Sequence, residues 1–513
     1  MKLKSRFLTL LLFAFSAVNT FAEGNQGLRP KLVVGIVVDQ MRWDYLYRFY
    51  DEYTTRGFRR MLSEGYSFDN CQINYIPSVT SIGHTSAYTG SVPSIHGIAG
   101  NKFLLNGKLT YCTEDTTVQT VGSRSKAGLE SPRNLLVTTI GDELKTATNW
   151  RSKVIGISFK DRAAILPAGH SADAAYWFDK KELCFITSTY YMSSLPSWVE
   201  DYNKEISRDV KKQKPVDTGK TLLAEPADIV QYSPYGNLIV KDMAKHAIAE
   251  ERLGQRGETD MLCVSFSCTD IVGHAFGTHS ELIHRMYVEL DKQLADLFDY
   301  LDQTIGKGEY VAFLTADHGA ANGILQNREH KIPSDGFYTN SEEEAVNKYL
   351  SGKYVGREHL VERIMDYKVV IDRNAAAGLD FDMLKADIAD YFKKHPQVMY
   401  VVDLENISAA SVPAYIREKI YNGYNRKRSG DIQLVLNPGV YGVGQEIGEG
   451  TTHGCWNPYD CHIPFVLMGR GVPHGSCPTE VHITDIAPTV CNLIKIQMPS
   501  GCIGTPRAMT VDR

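Results

Sequence analysis

Five apolar runs punctuate this chain, and polar residues with chemical potential stand at or near an end of each. Leu32–Val38 leads into Asp39, and residues 154–159 lead into Lys160 and Arg162. The run 261–267 is followed by Asp270 and His274, and Tyr310–Thr315 by Asp317 and His318. The last run, 463–468, has His453 shortly before it. Between these strand-like runs lie helical patterns. Residues 131–148 are amphipathic, and 281–304 repeats Leu282, Met286, Leu290, Leu294, Leu297 and Leu301 at helical spacing. Such alternation predicts an α/β fold: a mainly parallel central sheet with helices on both faces. In open sheets of that kind, ligands bind beyond the carboxyl ends of the strands. The polar residues after the runs are therefore expected to converge there.

Two stretches break the alternation. Residues 171–235 are rich in Tyr, Trp, Ser and Pro and read as an irregular insertion. Residues 335–442 read as an inserted α+β module, with strands at 367–371, 398–404 and 431–437 and helices at 380–395 and 412–422. The predicted division is a leader at 1–22, a main domain of 23–334 plus 443–513, and this module between its parts. A length of 513 residues suits a large domain with insertions.

The N-terminus has the form of a cleaved secretory leader. Lys2, Lys4 and Arg6 precede an apolar stretch over 7–18, and Thr20-Phe21-Ala22 offers a small-residue cleavage site. That stretch is short for a membrane span, so no stable membrane anchor is expected and the mature chain should be periplasmic or secreted. Ten cysteines in an exported chain suggest some disulfides, with Cys455/Cys461, Cys71/Cys112 and Cys491/Cys502 as candidates. The formal charge of −5 gives no electrostatic footprint for nucleic acid. A monomer acting on small molecules is expected.

Three Asp and three His at successive strand ends supply oxygen and nitrogen donors for two Zn²⁺ ions with open positions. Asp270 and His274, four residues apart, share a face on a helical turn. Asp317-His318-Gly319 is a strong local signal, Asp39 alone reads as a cap and His453 is weak alone; their joint placement is what shifts the reading. The hydroxyl-rich segment Pro77-Ser78-Val79-Thr80-Ser81 precedes an apparent helix over 82–88. A hydroxyl at a helix N-terminus sits where an anion is stabilised, and a metal beside it would make it a nucleophile. The residues alone do not choose among Ser78, Thr80 and Ser81. Lys160 and Arg162, two apart in extended chain, would grip phosphoryl oxygens; as an isolated pair they would read as solvated surface charges.

Together these residues resemble the alkaline phosphatase superfamily, closest to the phosphate-irrepressible enzymes with two zinc ions and a threonine nucleophile. The resemblance spans the mature chain. It rests on Val-Val-Asp39-Gln-Met-Arg, Pro-Ser-Val-Thr80, Ala-Tyr-Thr-Gly and Ser-Ile-His-Gly-Ile-Ala-Gly-Asn101. It continues through Ser-Phe-Lys160-Asp-Arg162, Asp270-x-x-x-His274, Ala-Asp317-His318-Gly, Thr-His453-Gly and Thr484-Asp-Ile-Ala-Pro-Thr. The resemblance implies that Thr80 is the nucleophile and lies beside one Zn²⁺ held by Asp39, Asp317 and His318. It implies that Asp270, His274 and His453 hold the other, and that Asn101, Lys160 and Arg162 bind the substrate phosphate. The implied activity is hydrolysis of phosphate monoesters, such as sugar phosphates, nucleotides and aryl phosphates, through a phospho-threonine. A phosphodiesterase or nucleotide pyrophosphatase is the alternative on the same fold, disfavoured by the Lys/Arg pair. A sulfatase would need a Cys in a C-x-P-S-R context, which the nucleophile segment lacks. A non-enzymatic binding module would have to keep six ligand residues for no chemistry.

Overall fold

A computed structural model describes residues 29–510, so the expected leader lies outside the described residues. The backbone is organised by a ten-stranded sheet. Its strands, in chain order, are β1 (Leu32–Val38), β2 (Tyr66–Phe68), β3 (Thr120–Val121), β4 (Val154–Ser158) and β5 (Ala174–Asp179). They continue with β6 (Cys184–Ser188), β7 (Asp260–Phe266), β8 (Tyr310–Thr315), β9 (Phe465–Gly469) and β10 (Gly475–Cys477). Their spatial order is β10-β2-β9-β8-β1-β7-β4-β5-β6-β3. The five central strands, β8-β1-β7-β4-β5, are parallel. Every residue of β1, β7 and β8 is buried, which is why these strands are apolar almost without interruption. The α/β architecture expected from the sequence is the one observed.

Register brings the strand ends together. Val38 pairs with Phe266, and Val37 with both Ser265 and Thr315. The residues that follow these positions emerge at one edge. Strand β9 runs antiparallel to β8, with Phe465 opposite Thr315. The start of β9 therefore lies at the same edge as the ends of the parallel strands. That geometry lets a residue ahead of β9 in sequence, His453, reach the site.

Helix α1 (Thr80–Thr89) begins two residues earlier than expected and ends at Gly90, whose φ of 64° forms a left-handed C-cap. The other helices near the site are α2 (Asp161–Ala168), α3 (Cys268–Phe276) and α4 (Glu281–Leu301), with α4 passing into a π turn over Asp302–Gly306.

Several local expectations are corrected. The helix expected over 131–148 covers only Ile140–Ala147, after a 3₁₀ turn at Pro132–Asn134. A capping box between Thr139 and Asp142 fixes the later start. The run at 463–468 is split by Pro464, which has no N–H for a ladder, into a short strand at His462–Ile463 and β9. The stretch 171–235 is not irregular. It holds β5 and β6, which extend the central sheet, and helices Ser197–Asp209 and Pro226–Tyr232. Its aromatics misled because they fill core: Tyr176, Trp177, Phe178 and Phe185 are all buried. The expected disulfides are not formed; all ten cysteines are free thiols, most of them buried among apolar neighbours.

Residues 335–442 enter through Asp335–Tyr338, which pairs in parallel with Val440–Val443. Between these lies a four-stranded antiparallel sheet in the order Val361–Met365, Lys368–Ile371, Ile432–Leu436, Val398–Asp403. The three expected strands and two expected helices are present; the strand Val361–Met365 and the helix Thr339–Lys353 are additions. Helix Phe381–Phe392 starts where Asp380 accepts N–H bonds from Asp382 and Met383. A separate apolar cluster, including Phe337, Leu350, Leu384 and Phe392, fills this part.

Candidate metal and phosphate site

Three buried carboxylates meet at the sheet edge. Asp39 stands one residue past β1, Asp270 lies in the first turn of α3 after β7, and Asp317 stands two residues past β8. Asp39 Oδ1 and Asp317 Oδ2 are buried with no hydrogen-bond partner. Lys160, the N-cap of α2, sets its ammonium 2.7 Å from Asp39 Oδ2 and 2.5 Å from Asp270 Oδ2. Burial, with Asp270 and Asp317 beside it, holds the Asp39 carboxyl well above the usual range. Burial pushes Asp270 and Asp317 the same way, but there the neighbouring charges win. His274 and Lys160 hold Asp270 well below the usual range, and His318 and His84 hold Asp317 low. Three acids this close, with one lysine among them, form a site that further positive charge would stabilise.

The histidines present one nitrogen each. His318 Nδ1 lies 2.9 Å from the Gly319 carbonyl, His274 Nδ1 2.9 Å from that of Thr451, and His453 Nδ1 2.7 Å from that of Ser78. A carbonyl only accepts, so each Nδ1 carries a proton and each Nε2 is the nitrogen left to face the cluster. Those Nε2 atoms face the acids: His274 at 3.1 Å and His453 at 3.7 Å from Asp270 Oδ1, His318 at 3.4 Å from Asp317 Oδ2 and 3.7 Å from Asp39 Oδ1. Burial lowers the His318 and His453 pKa values, and for His453 the nearby His318 and His274 add to it. Neutral imidazole with its second nitrogen hydrogen-bonded is the form that ligates metals. Two sets of donor atoms lie within 4.8 Å of one another: Asp39, Asp317 and His318, and Asp270, His318 and His453. His318 belongs to both sets because its ring stacks on His453 with centroids 3.4 Å apart. The residues present, with orphaned carboxylate oxygens and converging imidazole nitrogens, fit divalent cations.

Thr80 is the first residue of α1, and its Oγ1 lies 3.4 Å from His318 Nε2. The neighbouring Ser78 hydroxyl donates to the Cys455 carbonyl at 3.0 Å. The Ser81 N–H donates to Asn101 Oδ1 at 3.0 Å, which orients that amide with its NH₂ free to donate. Arg162 donates to the Tyr111 hydroxyl at 2.9 Å, and Tyr111 donates on to Asp161 at 2.6 Å. Arg162 Nε is buried without a partner. Asn101 and Arg162 line one cavity of about 580 Å³. Thus Thr80 and Lys160 lie at the acid–histidine cluster, while Asn101 and Arg162 flank it along this cavity.

Reading the sequence missed the supports of these residues. His84 Nδ1 lies 2.9 Å from the Thr80 carbonyl and 3.3 Å from Asp317 Oδ2, and its Nε2 lies 2.8 Å from Ser265 Oγ. Its place four residues after Thr80 on α1 was the available signal. Gln40 bridges two acids: its N–H donates to Asp317 Oδ1 at 3.1 Å and its Nε2 to Asp270 Oδ1 at 2.8 Å. Its φ of 64° is strained for a non-glycine residue. Gly273 makes room for it, since a Cβ there would fall 1.9 Å from Gln40 Oε1.

A buried set of acids and imidazoles beyond the ends of a parallel sheet, facing a helix-start hydroxyl, defines a metal-dependent hydrolase of the alkaline phosphatase superfamily. Residues 33–457 match the family described as type I phosphodiesterase / nucleotide pyrophosphatase, and the chain belongs to that family. Within the superfamily it is of the PafA type. It is 44% identical to the alkaline phosphatase PafA of Elizabethkingia meningoseptica, over 94% of this chain and 95% of that one. It is 45% identical, over 99% of both chains, to a Myroides odoratus protein named a calcium-transporting ATPase. Among the described residues no helix is long and apolar enough to cross a membrane. The crystal structure of wild-type PafA matches with a TM-score of 0.88 at 44% identity, covering 93% of this chain and 98% of that one. A PafA variant substituted at a Thr, an Asn, a Lys and an Arg matches at 0.87 and 43%, with the same coverage.

Proposed function

We propose that this chain is a periplasmic or secreted, zinc-dependent phosphomonoesterase that works through phosphorylation of Thr80. The observation that carries the reading is Lys160 reaching into the acid–histidine cluster beside Thr80, with Asn101 and Arg162 flanking it. A phosphate monoester presents a dianion, and three donors, two of them cationic, suit its non-bridging oxygens. The same four residue types, Thr, Asn, Lys and Arg, are those substituted in the PafA variant.

The cluster would hold two Zn²⁺ ions, one at Asp39, Asp317 and His318, the other at Asp270, His274 and His453. Bound there, they supply charge neutralisation and Lewis-acid polarisation for an in-line displacement. Lys160 then gives its charge to the phosphoryl group rather than to the carboxylates. Arg162, braced by Tyr111, binds a second oxygen, and the Asn101 amide donates to another. The Thr80 oxygen attacks phosphorus at the start of α1, where the helix dipole favours negative charge. The P–O bond to the alcohol breaks, and the alcohol leaves with a proton. Water then attacks the phospho-threonine, releasing inorganic phosphate and restoring the hydroxyl. Catalysis here is mostly positioning and charge stabilisation.

The family also contains diesterases, and a diester would place a second organic group where one charged oxygen stands in a monoester. Lys160 and Arg162 would then lose part of their purpose. The test is to compare an aryl phosphate, the matching diester and the aryl sulfate with zinc-loaded mature protein, with and without chelator. A chelator-sensitive preference of many fold for the monoester is expected; a diester preference would overturn the reading. The same preparation, run by sedimentation, should behave as a monomer.

A further inference from the structure

The acids of the cluster come from three separate strand ends, and Gln40 ties them together from the bend that follows β1. It is 3% exposed, and its φ of 64° places a long side chain where glycine is the usual residue. The peptide on its N-terminal side is held from both neighbouring strands. The Asp39 carbonyl accepts the Thr269 hydroxyl at 2.6 Å, from the start of α3, and the Gln40 N–H donates to Asp317 Oδ1 at 3.1 Å, beyond β8. Asp317 Oδ1 also takes the His318 N–H at 3.0 Å. Both lone pairs of that oxygen are thus occupied, and Oδ2 is left to face His318 Nε2.

At Asp270 the side chain of Gln40 acts in the same way. Its Nε2 donates to Oδ1 at 2.8 Å. That oxygen faces His274 Nε2 at 3.1 Å and His453 Nε2 at 3.7 Å, so the amide takes one lone pair and the other is left toward the imidazoles. Lys160 holds the second oxygen, Oδ2, at 2.5 Å. When Lys160 turns its charge to a phosphoryl group, the Gln40 amide still holds the carboxylate. Gly273, three residues after Asp270 on α3, makes the room the amide needs. A Cβ there would fall 1.9 Å from Gln40 Oε1 and 3.0 Å from its Cδ, and the three atoms nearest to it all belong to Gln40. A strained backbone angle persists where surrounding contacts fix it, and it clusters at functional sites.

We infer that Gln40 is the positioning residue of the Asp270 half of the site: its amide fixes the rotation of the Asp270 carboxylate, so that zinc is held there while Lys160 is engaged with substrate. The inference rests on the two-zinc phosphomonoesterase reading. The half made by Asp39, Asp317 and His318 depends on Gln40 only through its N–H, which any residue but proline supplies. The two halves should therefore respond differently when the amide alone is lost. A hydrogen-bond partner of a metal ligand is typically worth about 10–100-fold in metal affinity.

The test titrates zinc alone into the chelator-stripped mature chain and reads the two dissociation constants, with no substrate present. Gln40→Gly keeps the N–H and suits the backbone angle, so only the amide is lost. In this variant one zinc should bind about 10–100-fold more weakly, the same one that His274→Ala weakens, while the other stays within about threefold of wild type. Gly273→Ala, which crowds the amide, should weaken that zinc in the wild-type background. In the Gln40→Gly background it should have no further effect, because the atoms nearest the new methyl are gone. Unchanged constants in Gln40→Gly, equal weakening of both, or an undiminished effect of Gly273→Ala in the Gln40→Gly background would overturn the inference, while aryl phosphate hydrolysis kept the phosphatase reading intact. A wild-type chain that binds fewer than two zinc ions would overturn it together with the two-zinc reading.

Discussion

The strand-end site and the 335–442 region follow different rules. At the site, β1, β7 and β8 are buried throughout, and each is followed within four residues by an Asp. In the other region the two central strands, Lys368–Ile371 and Ile432–Leu436, are also buried throughout, and only the two edge strands are mixed. Val361–Met365 and Val398–Asp403 bury some positions and leave others half-exposed or open. A strand buried on both faces has no polar side, so its chemistry must sit at its end. An edge strand with a wet side can place polar groups along its length, as Val361–Met365 does with Glu362 and Arg363. The first arrangement concentrates charge; the second spreads it.

If that division of labour holds, changes at the strand ends should stop chemistry, and changes in the second core should cost stability alone. The largest effect is expected at Thr80. Thr80→Ala should lower kcat/KM for an aryl phosphate by about 10⁴-fold or more, with the circular dichroism spectrum unchanged. Removal of metal comes next. Dialysis against a chelator should abolish turnover, zinc should restore it, and elemental analysis should return two zinc ions per chain; Asp317→Asn should weaken zinc retention at least about tenfold. The Lys160→Ala/Arg162→Ala pair should lower monoester kcat/KM by about 10²–10³-fold, as expected for lost electrostatic stabilisation. Diester turnover should change far less, and equal losses on both esters would return the pair to a general structural role. The smallest effect on activity is expected for Leu384→Ala, in the core of the 335–442 region. It should destabilise by about 2–5 kcal/mol in denaturant unfolding, with aryl phosphate turnover within a few fold of wild type. A large loss of turnover there would mean that the second core also holds the catalytic geometry.

Legibility in the sequence followed burial. Asp39, Lys160, Asp270, Asp317 and His318 could be found because each follows the end of an apolar strand within a few residues. His274 could be found from its helical spacing to Asp270. His453 was visible only beside the others, because it precedes its strand. The supports were hidden for a physical reason. Gln40 acts through hydrogen bonds to residues more than 200 positions away, and His84 through a hydrogen bond to Ser265 and a contact with Asp317, and no local pattern encodes such partners. The aromatic stretch 171–235 failed for the opposite reason. Its composition resembled an irregular insertion, yet β5 and β6 join the central sheet and bury those rings.

The sequence by itself determined the period of the elements, the apolar strands that must pair in parallel, and the ligand types waiting at their ends. Hydrophobic runs and adjacent polar switches are local, so they can be read one segment at a time. Only the tertiary structure decided the antiparallel direction of β9, the choice of Thr80 over Ser78 as the hydroxyl facing His318, and the approach of Asp366 to Gly100. Those depend on strand order and on register across hundreds of residues. Such choices are settled by which packing buries the most apolar surface while satisfying the buried polar groups.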